Sequence, residues 1–152
     1  MYKLGVISDS HANYSSLKKA AKMFGDVDAI AHLGDLVSDC EYLRVADKPV
    51  YSVAGNCDYA SHSSPKEIVI NIAGRKILMC HGHAYYVKLS LTRLMLRARE
   101  AGADVALYGH THIPGVDMDR GILFVNPGAL TLGSLCVIEF RENGPVPVMY
   151  RV

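Results

Sequence analysis

The chain has 152 residues, of which 50% are hydrophobic and 20% charged, a composition typical of one globular domain spanning residues 1–152. Its 16 basic and 15 acidic residues give a formal net charge of +1, without the basic excess that extended nucleic-acid binding needs. No apolar run approaches the roughly 20 residues of a membrane helix or resembles a signal peptide, so we predict a cytoplasmic protein without a membrane partner.

The first part of the chain alternates short apolar runs with segments of helical spacing. Continuous apolar runs of this length are typical of strands that are buried on both faces. In chain order, the predicted strands are Lys3–Ser8, Ala29–Leu33, Val50–Ala54, Lys76–Cys80 and Asp104–Tyr108. The predicted helices are Asn13–Phe24 with Gly25 as C-cap, a short helix from Ser38 or Asp39 to Arg44, and Val87–Ala101 ended by Gly102.

The rest of the chain is predicted to be mainly strand, which completes an α/β domain. Glu67–Ile72 and Arg75–Cys80 flank Ala73-Gly74 as a hairpin. Further predicted strands are Gly115–Met118, Ile122–Val125, Ser134–Phe140 and Val146–Val152. Turns are predicted at Asp119–Gly121 and Glu142–Gly144. The cysteines Cys40, Cys57, Cys80 and Cys136 form no C-x-x-C pair, and we predict free buried thiols in a reducing compartment.

Each of five predicted strands runs directly into residues that can bind a metal ion. In chain order these are Asp9 and His11, Asp35, Asn56 and Asp58, His81 and His83, and His110 and His112. Ligands of open α/β sheets bind outside the carboxyl ends of the strands, and Asp, Asn and His supply oxygen and nitrogen donors for divalent metals. Extended residues at i and i+2 point to the same side, so Asp9 can converge with His11, and His110 with His112.

Each of these residues also has an ordinary structural interpretation. An Asp after a strand commonly caps the next helix, Gly-Asp and Gly-Asn pairs are common in turns, and His81 alone can be a loop histidine. Five strand ends that all carry donor groups are improbable by chance, which favours the metal site. Only the structural interpretation is given to Asp39 as a cap, His32 as a strand end and His62 as a loop residue.

The combination of D-x-H, G-D, G-N-x-D, H-G-H and G-H-T-H, from Asp9 to His112, resembles the calcineurin-like metallophosphoesterases. The G-N-C-D form and the short length are similar to the small, cap-free subgroup of bacterial and archaeal phosphodiesterases, and the turn at Val125–Gly128 is similar as well. This resemblance implies a four-layer αββα sandwich with two mixed β-sheets, and a site for two metal ions.

Position by position, the resemblance implies seven metal ligands and three catalytic candidates. Asp9, His11 and His112 would bind the first ion, Asn56, His81 and His110 the second, and Asp35 would bridge them. Mn²⁺ is the first choice, with Ni, Fe, Zn, Co or Mg as alternatives. The catalytic candidates are Asn56, His83 at the substrate edge, and Asp58, for which support of the Asn56 loop is the alternative.

The predicted function is hydrolysis of small phosphodiesters by in-line attack of a metal-bridging hydroxide, without a phosphoenzyme. Only Asp9 and Asp35 among the ligands carry charge, so two divalent ions and a hydroxide leave a formal excess of one positive charge, which suits a phosphodiester. Cys57 stands where larger phosphatases of the superfamily have a histidine. Because a thiol has a pKa of about 8.5, we predict a preference for good leaving groups unless His83 supplies the proton.

Other functions stay open beside this one. A protein-binding scaffold similar to the retromer subunit would use the same fold with an incomplete site, whereas here all seven ligand positions are filled. A nuclease or cyclic-nucleotide phosphodiesterase would use the same chemistry, and the balanced charge argues only against long nucleic acids. The expected partner is a small-molecule phosphoester. Tyr85, Tyr86 and Leu89 are compatible with a homo-oligomer, as a dimer or tetramer, or with a place in the core.

Overall fold

The computed structural model describes residues 1–35, 39–43, 47–58 and 64–152. Its strands, in chain order, are β1 (Tyr2–Ile7), β2 (Ala29–His32), β3 (Val50–Ser52), β4 (Glu67–Ile72), β5 (Arg75–Cys80), β6 (Val105–Leu107), β7 (Gly115–Asp119), β8 (Ile122–Asn126), β9 (Ser134–Arg141) and β10 (Gly144–Arg151). The α-helices are α1 (Tyr14–Met23), α2 (Cys40–Leu43) and α3 (Thr92–Ala101). Short 3-10 turns lie at Phe24–Asp26, His83–Tyr85 and Leu130–Leu132.

The strands form two mixed five-stranded sheets. The first sheet has the order β10-β9-β1-β2-β3, and the second has the order β4-β5-β6-β8-β7. In each sheet three neighbouring strands run parallel, β1-β2-β3 in the first and β5-β6-β8 in the second. The carboxyl ends of parallel neighbours lie at the same edge of a sheet, so each sheet collects the residues that follow its parallel strands at one edge.

The two sheets pack face to face around one apolar core. Leu4 and Val6 of β1 point into this core, where they join Met79, Leu107 and Val125 of the second sheet. Alternate residues of a strand point to opposite faces, so both faces of β1 must be covered. This explains why the predicted strands read as continuous apolar runs.

The helices cover the outer faces of the two sheets. Ile7 of β1 packs against Leu17 and Phe24 of the α1 segment. On the other side of the molecule, Phe124 of β8 packs against Leu94 of α3. The order of layers is therefore helix, sheet, sheet, helix, and the predicted four-layer αββα sandwich is confirmed.

Most predicted elements are confirmed within one or two residues, but two helix boundaries are wrong. Asn13 caps α1 by accepting the Ser16 N–H at 3.2 Å, yet Gly25 is not the C-cap because the chain continues into a 3-10 turn. Helix α3 begins at Thr92 rather than Val87, because the Leu89 and Ser90 N–H groups both donate to Tyr86 O and close residues 86–90 into a separate turn. Gly102 ends α3 with a φ of 67°, as predicted.

The short predicted helix corresponds to α2 at Cys40–Leu43, while Ser38, Arg44 and His62 lie outside the described residues. No disulfide joins the four cysteines within the described residues. Three of them are buried, as predicted, but the prediction is wrong for Cys57, which is exposed in the turn after β3. Among the described helices, none has the length and apolar character to cross a membrane.

The three aromatic and aliphatic residues before α3 divide between core and surface. Tyr85 is partly buried and packs against the cluster beneath α3. Tyr86 and Leu89 are 54% and 85% exposed. A dimer or tetramer contact at this patch stays a prediction.

An ion pair between Glu67 of β4 and Arg97 of α3 attaches the outer helix to the edge of the second sheet. Arg97 donates from Nε and Nη2 to Glu67 Oε2 at 2.9 and 2.7 Å, and the Tyr85 hydroxyl donates to Oε1. Burial acts to raise the pKa of Glu67, but the hydrogen bonds from Arg97 and Tyr85 outweigh it and lower the pKa. The carboxylate is therefore stabilised in its charged form.

We expect Glu67→Gln to lower the free energy of unfolding at pH 7 by about 1–2 kcal/mol, because hydrogen bonds to a charged group are lost at a partly exposed position. Since the folded pKa of Glu67 is the lower one, its contribution is present above the unfolded pKa of about 4.3 and is lost as the pH falls through the folded value. Urea unfolding of both proteins at pH 7 and pH 3 measures this difference, which should shrink at pH 3.

Glu100→Gln is the matched control for this substitution. Glu100 also contacts Arg97, at 3.1 Å, but its side chain is 77% exposed. The expected loss is below about 0.5 kcal/mol at either pH. Equal losses for the two variants would contradict a special role for Glu67.

Candidate metal centre

The polar residues that follow the parallel strands of both sheets meet at one edge of the sandwich. Asp9 and Asp35 come from loops after β1 and β2, and the Asp9 N–H donates to Gly34 O at 2.9 Å across these loops. His81 and His110 come from loops after β5 and β6, which are joined by the Gly109 N–H donating to His81 O at 2.9 Å. The site is therefore built where the two sheets contact each other.

The carboxylate of Asp9 lies at the centre of this cluster and is fully buried. Its Oδ2 accepts hydrogen bonds from the Ser8 hydroxyl at 2.7 Å and the His110 N–H at 3.1 Å. Its Oδ1 is buried without a hydrogen-bond partner among the described residues. Around that oxygen lie the Nε2 atoms of His112, His81 and His11, at 3.2, 3.8 and 3.9 Å.

A buried carboxylate oxygen surrounded by three imidazole nitrogens has the donor set of a metal ligand. Buried polar atoms nearly always have a partner, and an exception needs an explanation such as an ion. Carboxylate and imidazole together suit first-row divalent metals. The residues present therefore fit a divalent metal ion at Asp9 Oδ1.

Asp35 is the second buried carboxylate of the site. Its Oδ1 accepts the Cys57 N–H at 2.9 Å, and its Oδ2 lies 3.4 Å from His81 Nε2 and 4.0 Å from His11 Nε2. Burial acts to raise the pKa of Asp35, but hydrogen bonds from His81 and Cys57 hold it well below its ordinary value. Asp35 is thus an ionised carboxylate between two histidines of different sheets.

The tautomer of His81 is set by a hydrogen bond outside the cluster. Its Nδ1 lies 2.7 Å from Leu33 O, and a carbonyl oxygen only accepts, so Nδ1 carries the proton. Nε2 then faces the two carboxylates. In the protonated ring it donates to Asp35, and in the neutral ring its lone pair is available to a metal ion, as is typical of a metal-binding histidine. Burial acts to lower the pKa of His81, but Asp35 and Asp9 raise it, so protons and metal ions compete for Nε2.

The described part of the chain contains two groups of three possible metal ligands, and the ligand atoms within each group all lie within 4.8 Å of one another. The first group is Asp9, His11 and His112, the set that the resemblance implies for the first ion. The second group is Asp9, Asp35 and His81, which shares His81 and the bridging Asp35 with the set for the second ion. Asp9 therefore belongs to both groups.

His110 and Asn56 lie differently from the other predicted ligands. His110 presents Nδ1 to the cluster, 3.2 Å from His81 Nε2. Asn56 is exposed, and its side chain makes no hydrogen bond within the described residues. Its turn nevertheless touches the site through the Cys57 N–H, so six of the seven predicted ligands converge and Asn56 lies at the rim.

The backbone of the ligand loops is strained. Asp9, His11, Asp35, His110 and His112 all have positive φ values, between 44° and 72°. The left-handed region costs non-glycine residues roughly 1–2 kcal/mol each, and such residues cluster at functional sites held by their surroundings. The predicted convergence of Asp9 with His11 and of His110 with His112 is therefore achieved by left-handed turns, and the extended backbone assumed for it is wrong.

Two residues behind the ligands hold their loops in place. Asp58 Oδ2 accepts the Gly55 N–H at 2.7 Å and the Asp35 N–H at 3.0 Å, in agreement with its alternative role as a support. Asn126, which is buried, donates from Nδ2 to Thr111 Oγ1 at 2.8 Å and to Gly109 O at 3.3 Å. The Val125–Gly128 turn belongs to the family resemblance of the sequence, but no sequence pattern indicated a role for Asn126.

His83 lies at the edge of the histidine cluster. Its ring centroid is 5.5 Å from that of His81 and 6.1 Å from that of His110. Burial and the neighbouring His81 lower the pKa of His83, so the resting ring is neutral at pH 7. Its Nδ1 is buried without a hydrogen-bond partner in the described ranges.

The amino-acid sequence is similar to phosphoesterases over most of its length. Residues 2–141 match the calcineurin-like phosphoesterase superfamily domain. The chain is 41% identical over 128 residues to the probable metallophosphoesterase YsnB of Bacillus subtilis, covering 84% of this chain and 74% of the relative. It is 26% identical over 143 residues to a phosphodiesterase of Methanocaldococcus jannaschii, covering 83% of this chain and 82% of the relative.

The fold is similar to those of solved structures. A Streptococcus pneumoniae protein described as a predicted phosphoesterase superposes with a TM-score of 0.83 at 26% identity, covering 99% of this chain and 89% of that one. Vps29 of Entamoeba histolytica, complexed with zinc, superposes with a TM-score of 0.79 at 20% identity, covering 99% and 98% of the two chains. The second likeness shows a shared fold and carries no functional conclusion.

Two glycines are expected to be essential for the geometry of the carboxylates. A Cβ at Gly55 would lie 2.2 Å from Asp35 Oδ1, and one at Gly109 would lie 2.1 Å from Ser8 Oγ and 3.0 Å from Asp9 Oδ2. Displacing a buried ligand or its partner typically weakens metal binding by about 10–100-fold. We therefore expect Gly55→Ala and Gly109→Ala to raise the Kd for Mn²⁺ by at least about tenfold, as measured by isothermal titration calorimetry.

Gly25→Ala is the control, because a Cβ at Gly25 meets no atom within 4 Å and its backbone is not left-handed. Its Kd should equal that of the wild type. If the Gly55→Ala and Gly109→Ala proteins fold and bind Mn²⁺ as the wild type does, a role for these close approaches is excluded.

Proposed function

This chain belongs to the calcineurin-like phosphoesterase superfamily, and we propose that it hydrolyses small phosphodiesters at a centre of two divalent metal ions. Phosphoester hydrolysis and the need for divalent metal follow from the family. The number of ions, Mn²⁺ as the metal and the preference for diesters are the proposed parts. The observation that carries the proposal is the buried Asp9 Oδ1, which has three imidazole nitrogens around it and no hydrogen-bond partner within the described residues.

The proposed ligand assignment keeps all seven residues. Asp9, His11 and His112 would hold the first ion, and Asn56, His81 and His110 would hold the second, with Asp35 shared by both. The close approach of ligand atoms from Asp9, His11 and His112 supports the first set. The 3.2 Å distance between His110 Nδ1 and His81 Nε2 supports the second.

Two such ions, when bound, activate water as a nucleophile and stabilise the charge of the phosphoryl oxygens. The chain's own contribution is the charge of its ligand set. Asp9 and Asp35 are the only carboxylates among the seven ligands, so the occupied centre keeps an excess of positive charge. That excess matches a phosphodiester, which carries one negative charge.

Hydrolysis without a phosphoenzyme is supported by the hydroxyl groups beside Asp9. Ser8 and Ser10 are both fully buried. Their hydroxyls donate to the carboxylates of Asp9 and Asp39, at 2.7 and 2.6 Å. Neither oxygen is therefore free to attack a phosphate, which supports water as the nucleophile.

His83 is the proposed proton donor to the leaving group. Asn56, a metal ligand at the rim of the site, and Asp58, which supports the Asn56 loop, complete the proposed catalytic set. Burial, followed by the charge of Asp35, raises the pKa of the Cys57 thiol above its ordinary value, which makes Cys57 a weaker acid still. His83 is a weak donor as well, because its lowered pKa leaves only a minor fraction of the rings protonated at pH 7. Good leaving groups should therefore be preferred.

The absence of a disulfide among the described residues is compatible with a reducing compartment, and we propose the cytoplasm. A cyclic nucleotide is the second candidate substrate, because it is a small phosphodiester with one negative charge. A protein-binding scaffold, the other function that the sequence leaves open, does not require six convergent metal ligands. The activity measurements that follow separate these functions.

Removal of metal should abolish activity, and Mn²⁺ should restore it. We expect the Mn²⁺-loaded protein to hydrolyse bis(4-nitrophenyl) phosphate, and His110→Ala to lower kcat/KM by more than about 100-fold, beyond the loss typical of an outer-shell partner. The measurement is a steady-state assay across aryl diesters, phosphomonoesters and cyclic nucleotides, with circular dichroism as the folding control. Full activity of carefully demetallated protein would disprove the mechanism, and inactivity on every ester would favour the scaffold.

His83→Ala should slow alkyl phosphodiesters more than aryl phosphodiesters. General acid catalysis contributes typically 10²–10⁴-fold where the leaving group needs a proton, and 4-nitrophenolate needs none. We therefore expect a loss of about 100-fold in kcat for a dialkyl phosphate such as dimethyl phosphate, and less than about threefold for bis(4-nitrophenyl) phosphate. Equal losses for both leaving groups would remove His83 from this role.

A further inference from the structure

Three buried polar residues beside the metal centre have no role in the proposed reaction. Ser10, His32 and Asp39 are at most 2% exposed, and none of them is a predicted metal ligand. His32 ends β2 and Asp39 directly precedes α2, as their structural interpretations require. Asp39 Oδ2, however, accepts hydrogen bonds from the loop after β1, from the Ser10 hydroxyl and the Ala12 N–H.

The hydrogen bonds among these residues form one directed chain. The Gly34 N–H donates to His32 Nδ1 at 3.1 Å, so the proton of the neutral ring is on Nε2. That Nε2–H donates to Ser10 Oγ at 2.9 Å, and the Ser10 hydroxyl donates to Asp39 Oδ2 at 2.6 Å. The Ala12 N–H donates to the same Asp39 oxygen at 2.8 Å. Burial lowers the pKa of His32 to about 4, which keeps the ring neutral.

The direction of these bonds excludes a nucleophilic serine. In a Ser–His–Asp triad the histidine accepts the serine proton and the aspartate contacts the histidine. Here His32 donates to Ser10, and Ser10 gives its proton to Asp39. The hydroxyl is also fully buried, so a substrate does not reach it.

The hydrogen-bond chain of Ser10, His32 and Asp39 contacts both ligand loops at their strained positions. Ser10 lies between the ligands Asp9 and His11, and Ala12 follows His11. Gly34 precedes the ligand Asp35. Asp9, His11, Ala12 and Asp35 have φ values of 54°, 44°, 58° and 46°. Such conformations persist only where the surroundings hold them. The hydrogen-bond chain supplies these partners, because Asp39 accepts the Ala12 N–H in the first loop and His32 accepts the Gly34 N–H in the second.

We propose that Ser10, His32 and Asp39 are positioning residues, which hold Asp9 and His11 against Asp35 in the geometry that binds metal. The proposal rests on the proposed function for the presence of the metal. Positioning of the metal ligands is a role beyond those of a strand end for His32 and a helix cap for Asp39. Outer-shell partners of this kind typically change metal affinity by about 10–100-fold when they are removed.

The test is the Kd for Mn²⁺, measured by isothermal titration calorimetry at a temperature where every variant is folded. We expect Ser10→Ala, which cuts the chain in the middle, to raise the Kd by at least about tenfold. His32→Asn is the second variant, because the shorter amide can still accept the Gly34 N–H but does not reach Ser10. It should raise the Kd by a similar factor, and it decides the question if the Ser10 variant does not fold.

Ser134→Ala is the matched control. Ser134 is 4% exposed, and its hydroxyl donates a buried hydrogen bond to Pro127 O at 2.6 Å outside the chain of Ser10, His32 and Asp39. Ser10→Ala and Ser134→Ala should lower Tm to a similar extent, whereas only Ser10→Ala should change the Kd for Mn²⁺. A merely structural role for Ser10 would lower Tm and leave the Kd unchanged.

The outcomes separate this proposal from the proposed function. Wild-type Kd values for folded Ser10→Ala and His32→Asn, in a protein that binds Mn²⁺ and hydrolyses phosphodiesters, would overturn the positioning role alone. A wild type that binds Mn²⁺ but hydrolyses no phosphoester would overturn the proposed function, while the Kd comparison would still decide the positioning role. A wild type that binds no metal would overturn both.

Discussion

The buried charge of Asp9 is the constraint on which the rest of this structure depends. A carboxylate taken out of water needs hydrogen bonds or positive charge around it, because an uncompensated buried charge is strongly unfavourable. Asp9 follows β1 of the first sheet, and its Oδ2 accepts hydrogen bonds from the neighbouring Ser8 hydroxyl and from the His110 N–H of the second sheet. The His81 and His112 rings, which would share a metal ion with Oδ1, also come from the second sheet. Compensation of one charge therefore requires both sheets, and the site exists only where they meet.

The same requirement explains the strained loops. Donor groups from four strand ends can point at one small volume only if the chain turns sharply after each strand, and left-handed residues supply those turns. Gly55 and Gly109 let neighbouring backbone approach the two carboxylates closely. Asp58, Asn126 and the chain of Ser10, His32 and Asp39 then hold these turns with hydrogen bonds. The ligands are thus placed by a surrounding shell of polar contacts as well as by the strands.

The fold and the candidate ligands could largely be predicted from sequence patterns, since the strands are apolar on both faces and each ends in a donor group. The patterns failed where local signals compete. Gly25 looks like a C-cap, but the chain tightens into a 3-10 turn there. The apolar stripe of α3 begins at Val87, but that stripe reflects burial against the second sheet, while residues 86–90 close a separate turn before the helix begins. Periodicity reports which side chains are buried and does not report the φ angles between them.

By itself, the sequence determined the order of the strands along the chain, the α/β class and the set of oxygen and nitrogen donors at the strand ends. These are local properties, which depend on the burial and chemistry of consecutive residues. Only the tertiary structure decided which donors share a carboxylate, that Asn56 lies at the rim, and that His32 and Asp39 are joined through hydrogen bonds to Ser10. Those features depend on contacts between residues from different strands and loops, such as Asp9 with His110, and no local pattern records the distance between them.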